Sequence, residues 1–400
     1  MIASFAELLH PHDPEQLRAA AADGRRLLLR TDRASQFAML MPWERFNDLV
    51  RADRVLAGDI EFVRNDAILP AEMTIVRPKR QKPPTRMRTP VLHRYAEQGV
   101  STVINGIEQF DPDIRRLNAI FERAFRSPVK ANLYASFGRD SAFKPHWDGH
   151  NVLVLHLHGR KHWRSWGQPW RAPRSHASCQ IPASLGPPEW EGVLEPGDIL
   201  YLPRGEIHAA TLMDGEDAMH LTIGIAPPGF GALTAALAEA CAAEDIGRQD
   251  LPVMADAARK QAWLEAARRL LHQAVDALDL DEVLAVLDQQ VESLPAGAFG
   301  IDHRLQPETL VIPVLRRPLP RRADPMEEPR KDSLTIQAGM QSWTVSGVEL
   351  AILGLVTKHD SRTIASLIAS LPESGEPTVR DGVIALAHKG LVTLRNQGAA

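Results

Sequence analysis

The sequence predicts an α+β chain: a double-sheet jelly roll of short strands, then a helical bundle module, then a C-terminal winged helix. Three observations predict it. Between Val129 and Ile225, short apolar segments recur and are joined by Gly and Pro turns, the pattern of a jelly roll. After Pro227-Pro228-Gly229 the composition shifts to Ala- and Leu-rich stretches of helical period. Near the end, helix, turn and helix are followed by Gly390 and a strand, the order of a winged helix. The chain of 400 residues is long enough for two or three domains, each with its own core. The boundaries are placed at 1–228, 229–312 and 313–400.

The elements follow in order. Ser4 caps a short helix carrying Phe5, Leu8 and Leu9, and Asp13 precedes a Pro14-started helix with Leu17 and Ala20 inward. Arg26 to Arg30 reads as a short buried strand. Phe37 to Leu49 reads as one helix, because Phe37, Leu40, Phe46 and Leu49 fall at roughly helical spacing. Glu61–Arg64, Met73–Val76 and Thr102–Ile104 are strand candidates among polar and Pro-containing loops. Residues 111–126 form an amphipathic helix with Ile114, Leu117, Ile120, Phe121 and Phe125 on one face. Strands then fall at 129–136, 152–158, 161–166, 192–194, 199–202, 208–212 and 220–225, with a Pro-, Ser- and Gly-rich excursion loop over 167–190. Residues 230–245 and 257–292 are helical. Trp263, Ala266, Leu270, Ala274 and Ala277 mark one face, and a further helix starts at Asp281. A Pro- and Arg-containing linker over 313–332 leads to two short strands, helices near 346–358, 361–370 and 377–389, and a strand over 390–394.

Composition excludes several classes. Hydrophobic residues are 44% and charged residues 24%, ordinary for a soluble globular protein. A net charge of −4 gives no global basic field, so nucleic acid is not expected as the main partner. From Gly347 onward five Lys/Arg stand against five Asp/Glu, so the winged-helix segment also lacks a basic footprint. Cys179 and Cys241 cannot build a disulfide framework or a zinc-finger set. The start, Met1 to Glu7, lacks the basic and apolar regions of a signal peptide, and no apolar run nears the roughly 18 residues of a membrane span. A soluble, cytoplasmic chain without membrane association is expected.

The chemistry centres on Lys144-Pro145-His146-Trp147-Asp148-Gly149-His150. On an extended strand, residues i and i+2 share a face, so His146 and Asp148 point into a barrel while Trp147 points away. His-x-Asp alone occurs by chance in many proteins. Pro196-Gly197-Asp198-Ile199-Leu200-Tyr201-Leu202-Pro203 adds a turn, a strand and a second turn, and places His208 at the next strand's start. Two imidazoles and one carboxylate form the facial triad of mononuclear Fe(II) oxygenases, which leaves positions open for a bidentate co-substrate and dioxygen.

The motifs Pro145-His146-Trp147-Asp148, Gly159-Arg160-Lys161-His162-Trp163 and Leu194 to Pro203 resemble the JmjC-type cupin oxygenases of the ribosomal-oxygenase family. The order of modules matches that family over most of the chain. The resemblance implies a cupin/JmjC jelly roll (a double-stranded β-helix) using Fe(II), 2-oxoglutarate and dioxygen, with a helical module that makes a homodimer. It implies that a basic residue after the Gly turn pairs with the distal carboxylate of 2-oxoglutarate, at the position of Lys161. Lys161 shares strand parity with Trp163 and Ser165, and a buried ammonium wants an anion; facing outward, it is a solvated strand lysine. Asn132 and Tyr134 share a face and resemble residues lining the co-substrate pocket, as does Thr222; each reads equally as a satisfied core polar residue. His156 and His158 read as barrel-wall or substrate-side residues.

The resulting expectation is a 2-oxoglutarate-dependent dioxygenase that hydroxylates an arginine or histidine side chain of a protein or peptide substrate, of ribosomal-protein type. Iron is expected on His146, Asp148 and His208. Two other readings stand beside it: a hydroxylase of a small peptide or natural-product precursor, and a non-catalytic cupin or winged-helix regulator.

Overall fold

In a computed structural model, the structure describes residues 2–51, 59–69, 89–138, 143–173, 180–213, 215–292, 305–319 and 333–396. Contacts divide the chain into two units, Met1–Ala226 and Pro227–Ala400.

The first unit opens with α1 (Phe5–Leu9), where the Ser4 hydroxyl accepts the Glu7 N–H at 3.1 Å. Helix α2 (Pro14–Asp23) is capped by Asp13, and strand β1 (Leu27–Arg30) follows. The single helix expected over Phe37 to Leu49 is two, α3 (Ala34–Leu40) and α4 (Trp43–Arg51). Pro42 is the cause. Its ring disfavours helical backbone at the preceding residue, and Met41 sits at φ −147° and ψ 82°. Next come β2 (Ile60–Arg64), β3 (Ala67–Leu69), α5 (Thr89–Glu97), β4 (Ser101–Ile104) and α6 (Pro112–Phe125). The sequence pattern did not indicate β3 or α5. The strand candidate Met73–Val76 lies outside the described residues.

The jelly roll is completed by β5 (Val129–Ser136), β6 (Asn151–His158), β7 (Lys161–Ser165), β8 (Trp190–Leu194), β9 (Asp198–Leu202), β10 (His208–Leu212) and β11 (Ala218–Ile225). Among the described residues, eight strands form one sheet in the order β1-β9-β6-β11-β5-β4-β2-β3, and β10-β7-β8 form a second. All these pairings are antiparallel. This is the expected double-sheet fold with added helices.

The central strands of the large sheet are buried on both faces. Ala131, Leu133, Leu153, Leu155, Leu221 and Ile223 share a core with Phe5, Leu17, Phe37 and Phe121 of the helices. The alternate residues Val152, Val154, Leu200 and Leu202 pack with Trp163 and Leu194 inside the roll. The two-residue period of a strand sends neighbours to opposite faces. Two-sided burial makes β9 a continuous apolar run after Asp198 rather than an alternating one. Gly159 turns the chain from β6 to β7 at φ +63°, and a Cβ there would lie 2.0 Å from the Asp217 carbonyl oxygen, so no other residue fits.

The second unit holds α7 (Phe230–Ala242), α8 (Ala257–Asp276), α9 (Leu280–Gln289), β12 (Leu310–Pro313), β13 (Ser333–Ala338) and β14 (Gln341–Ser346). It ends with α10 (Gly347–His359), β15 (Arg362–Thr363), α11 (Ile364–Ser370), α12 (Glu376–His388) and β16 (Val392–Arg395). Strand β12 lies between β15 and β16, and β13 pairs with β14. Val311, Ile352, Leu353, Val356, Leu367, Val383 and Leu386 form their core. On α8, Trp263, Ala266, Leu270 and Ala274 are covered wholly or in part, but Ala277 is exposed because the helix ends at Asp276. The stretch expected as a linker begins as structure: Pro313 ends β12, and Val314 and Leu315 are buried. Residues 320–332 lie outside the described residues, as does Cys179, while Cys241 is a free, buried thiol. Among the described residues, no helix is long and apolar enough to cross a membrane.

Candidate metal centre

His208 opens β10, and His146 faces it across a single antiparallel bridge. The His146 N–H donates to the His208 carbonyl at 3.0 Å, and the His208 N–H returns to the His146 carbonyl at 2.8 Å. The sequence suggested a strand carrying both His146 and Asp148. The structure shows one bridge at His146 and no strand at Asp148. Pro145, lacking an N–H, cannot extend the ladder on the other side. Asp148 is tied down instead by the Gly205 N–H, which donates to its carbonyl at 3.1 Å. Gly205 has φ +89°, and a Cβ there would stand 2.3 Å from Pro173 Cδ, so only glycine lets this turn close up. Trp147 is buried and does not line the cavity that His146 and Asp148 line.

One ligand atom from each of His146, Asp148 and His208 lies within 4.8 Å of the others. His208 Nε2 is 3.5 Å from Asp148 Oδ2. The two imidazoles are fixed alike. His146 Nδ1 is 2.9 Å from the Lys144 carbonyl, and His208 Nδ1 is 2.9 Å from the Glu206 carbonyl. A carbonyl only accepts, so each Nδ1 carries the proton and each Nε2 keeps its lone pair. Burial, and then the nearby His146, push His208 down to about 4, so it is neutral near pH 7, the ligating form. Behind this ligand, the buried Glu206 carboxylate accepts from the Ser165 hydroxyl at 2.5 Å and from the Arg26 guanidinium. Arg26 also donates to Ser165 Oγ at 2.8 Å and lies over the Trp190 ring.

Lys161 enters the same cavity from β7 and is only 4% exposed. Its Nζ donates to Ser136 Oγ at 2.8 Å and to His220 Nδ1 at 3.1 Å. Burial pushes its ammonium down to about 7. Among the described residues, no carboxylate pairs with it. Its neighbour Arg160 is engaged outside, in an ion pair with Glu216. Asn132, Tyr134 and Thr222 line the same cavity, which encloses about 720 Å³ including its open mouth. Asn132 Oδ1 also accepts the Gly106 N–H at 3.1 Å, so part of its polarity is spent on the fold. Tyr134 stacks on His220 with ring centroids 4.8 Å apart, and burial, then Asp148, raise its pKa, so it stays protonated. His150 and Phe143 complete the wall.

Every residue singled out from the sequence as a ligand or co-substrate contact therefore reaches one cavity. His156 and His158 stand apart from the three-ligand cluster. His156 is fully buried, donates Nε2–H to the Gly159 carbonyl at 2.9 Å, and is driven by burial down to about 3. His158 donates to the Met41 carbonyl at 2.9 Å. The sequence reading missed Ser136, His220, Ser165, Glu206 and Arg26. Ser136 and Ser165 had a signal, since they share parity with Asn132 and Tyr134 on β5 and with Lys161 on β7; the other three are joined only by the fold. The donor set fits a divalent first-row metal, and a buried ammonium without an anion fits a dicarboxylate beside it.

Known proteins resemble this chain in sequence and in fold. Residues 104–233 match the model of the JmjC domain. The bifunctional lysine-specific demethylase and histidyl-hydroxylase NO66 of Aedes aegypti is 27% identical over 232 residues, covering 55% of this chain and 34% of that protein. Ribosomal oxygenase 1 of Gallus gallus is 28% identical over 310 residues, covering 72% of this chain and 50% of that protein. The chain thus spans half or less of the length of these curated relatives. A solved structure of YcfD, a ribosomal oxygenase from Escherichia coli, superposes with a TM-score of 0.53 at 14% identity, covering 97% of this chain and 99% of that one. A structure of YcfD in complex with cobalt and 2-oxoglutarate gives a TM-score of 0.51 at 14% identity, over 93% of this chain and 95% of that one. At this identity the likeness is one of fold.

Proposed function

We propose that this chain, whose residues 104–233 match the JmjC domain, is an Fe(II)- and 2-oxoglutarate-dependent oxygenase of the ribosomal-oxygenase family that hydroxylates a side chain of a protein. The observation that supports the reading is the convergence of two imidazoles, a carboxylate and one buried lysine on a single cavity. His146 Nε2, the Asp148 carboxylate and His208 Nε2 would hold the metal. Lys161 would pair with the far carboxylate of 2-oxoglutarate, in a pocket lined by Asn132, Tyr134 and Thr222. Bound there, Fe(II) with 2-oxoglutarate and dioxygen supplies the oxidant that inserts oxygen into a substrate C–H bond.

The chain's own residues orient and shield. The carbonyls of Lys144 and Glu206 hold both imidazoles in the ligating tautomer. Phe143, Trp163 and Leu212 wall the cavity with apolar surface, which limits water beside a reactive centre. Tyr134 remains a neutral hydroxyl, so it adds no negative charge beside an incoming diacid.

The substrate we favour is an arginine or histidine side chain of a ribosomal protein; relatives named histidyl-hydroxylase and ribosomal oxygenase support the histidine and the ribosomal target. Lys144, His150 and the loop 167–190 are the proposed selectors of the substrate. Within the second unit, residues 229–312 are read as a dimerisation module and 313–400 as a winged helix, beside an oxygenase domain of 1–228. A cytoplasmic location goes with this reading.

The test loads the protein anaerobically with Fe(II) and 2-oxoglutarate, then adds air and cell-extract proteins. Succinate should form, and mass spectrometry should find a protein product heavier by about 16 Da, one inserted oxygen. His146→Ala should abolish 2-oxoglutarate turnover; full turnover in that variant sinks the assignment of the metal.

A further inference from the structure

Three aromatic rings lie side by side across the large sheet. His220 on β11 is the register partner of Tyr134 on β5 and of His156 on β6. The Tyr134 and His220 rings are within 5° of parallel, and His156 and His220 within 9°, with centroids 6.3 Å apart. Trp163, from the opposite sheet, meets the His220 ring edge-on at 5.7 Å. The His220 ring thus cannot rotate freely. Its Nδ1 edge faces the Lys161 ammonium at 3.1 Å.

We propose that His220 is a positioning residue for the co-substrate: its Nδ1 lone pair, with Ser136 Oγ, aims the Lys161 ammonium at the far carboxylate of the diacid. This rests on the oxygenase reading above.

The argument is one of counting donors and charges. An ammonium has three N–H groups. Two are taken by Ser136 and His220, and one remains for a ligand in the cavity. Both partners are neutral. Burial, then Lys161 and His156, hold His220 well below its ordinary value, so the ring is neutral; facing an ammonium, which only donates, its Nδ1 accepts. A carboxylate in its place would satisfy the ammonium and leave nothing for an incoming anion. Ser136 is itself fixed by the Ser101 hydroxyl at 2.9 Å. Lysine has a flexible stem, and a ring locked in a stack removes that freedom before the ligand arrives.

The test compares full-length wild type with His220→Leu, which keeps apolar bulk, and His220→Asn, which keeps an acceptor near the Nδ1 position. The protein is loaded with Mn(II) without oxygen. Calorimetry gives affinities for 2-oxoglutarate and for 2-oxopentanoate, which lacks the far carboxylate; electron paramagnetic resonance gives the Mn(II) affinity. His220→Leu should weaken 2-oxoglutarate at least about tenfold, as loss of a charge-assisted hydrogen bond implies. Its Mn(II) and 2-oxopentanoate affinities should stay as in wild type. His220→Asn should recover most of the preference for the diacid. Wild-type preference for the diacid in His220→Leu overturns the proposal. So does equal loss of both acids and of Mn(II) in both variants, which marks a purely structural role. A wild type that binds 2-oxoglutarate no better than 2-oxopentanoate refutes the Lys161 anchor itself, and the proposal falls with it.

Discussion

At the scale of single residues, the cluster is built by tying each side chain to backbone or to a buried partner. His208 is the best example. Its Nδ1–H goes to the Glu206 carbonyl, and the Glu206 carboxylate is gripped by Ser165 and Arg26. Arg26 reaches in from just before β1, far upstream in the chain. Arg26→Met leaves the buried carboxylate without its cation, which destabilises the turn before β10 and frees the ring. The expected outcome is Mn(II) binding weakened by about 10- to 100-fold, the usual effect of removing support from a metal ligand. Glu206→Gln keeps the shape and should cost less. Coulomb repulsion alone predicts the opposite sign, since removing a nearby cation favours a divalent metal. Unchanged or tighter Mn(II) binding in Arg26→Met, measured by titration, therefore rejects the positioning role.

At the scale of elements, the two sheets bury ionisable groups that stay neutral only while folded. His156 on β6 is driven by burial to about 3. In the unfolded chain it returns to about 6.5. Above pH 6.5 neither state is protonated there, and the group adds no pH dependence. As pH falls below 6.5 the unfolded chain takes up a proton that the folded chain refuses, so stability falls until the folded value near 3 is passed. At pH 4.5 this one group has removed an amount on the order of 2–3 kcal/mol. His156→Gln can still donate to the Gly159 carbonyl but does not titrate. Its urea midpoint should therefore drop less between pH 7 and 4.5 than that of wild type; equal drops would count against the buried neutral histidine. The same strands show what a sequence reveals and what it hides. Strands β5, β6, β9 and β10 were legible because their apolar runs end at Gly and Pro turns. The closeness of His146, Asp148 and His208 was legible because a His-x-Asp and a turn–strand–turn–His sit in local stretches. The split at Met41 was missed by weighing apolar spacing above the Pro42 break. The His220 ring stack and the Arg26–Glu206 pair were hidden because strand register and long-range approach create them: Arg26 and Glu206 are 180 residues apart.

At the scale of the molecule, exposed apolar surface is unevenly distributed. Among the described residues, Phe230, Leu251, Val253, Met254, Leu264, Leu271, Val275, Leu280 and Val286 are all exposed and all fall within α7 to α9 and their connections. The first unit exposes only Met39 and Ile68 in the same class among its described residues. On α8, Leu264, Leu271 and Val275 are spaced by seven and four residues, which puts them on one stripe. The neighbouring stripe, through Trp263, Leu270 and Ala274 and about 100° round the helix, is already covered wholly or in part within its own unit. A helix with apolar residues on both stripes is normal for a buried helix and costly for a solvated one. A second copy is the simplest cover, because a two-fold contact sets the same stripe against itself. Stable contacts of this kind bury about 800 Å² on each side, which three short helices can supply. We therefore expect wild type to run as a dimer by light scattering coupled to size exclusion. Leu271→Glu with Val275→Glu places two carboxylates in each half of the contact. Because the two-fold brings like charges together, the double variant should run as a monomer with its helix content intact by circular dichroism. A dimer that survives both substitutions moves the contact off this stripe, and a monomeric wild type removes it from the molecule.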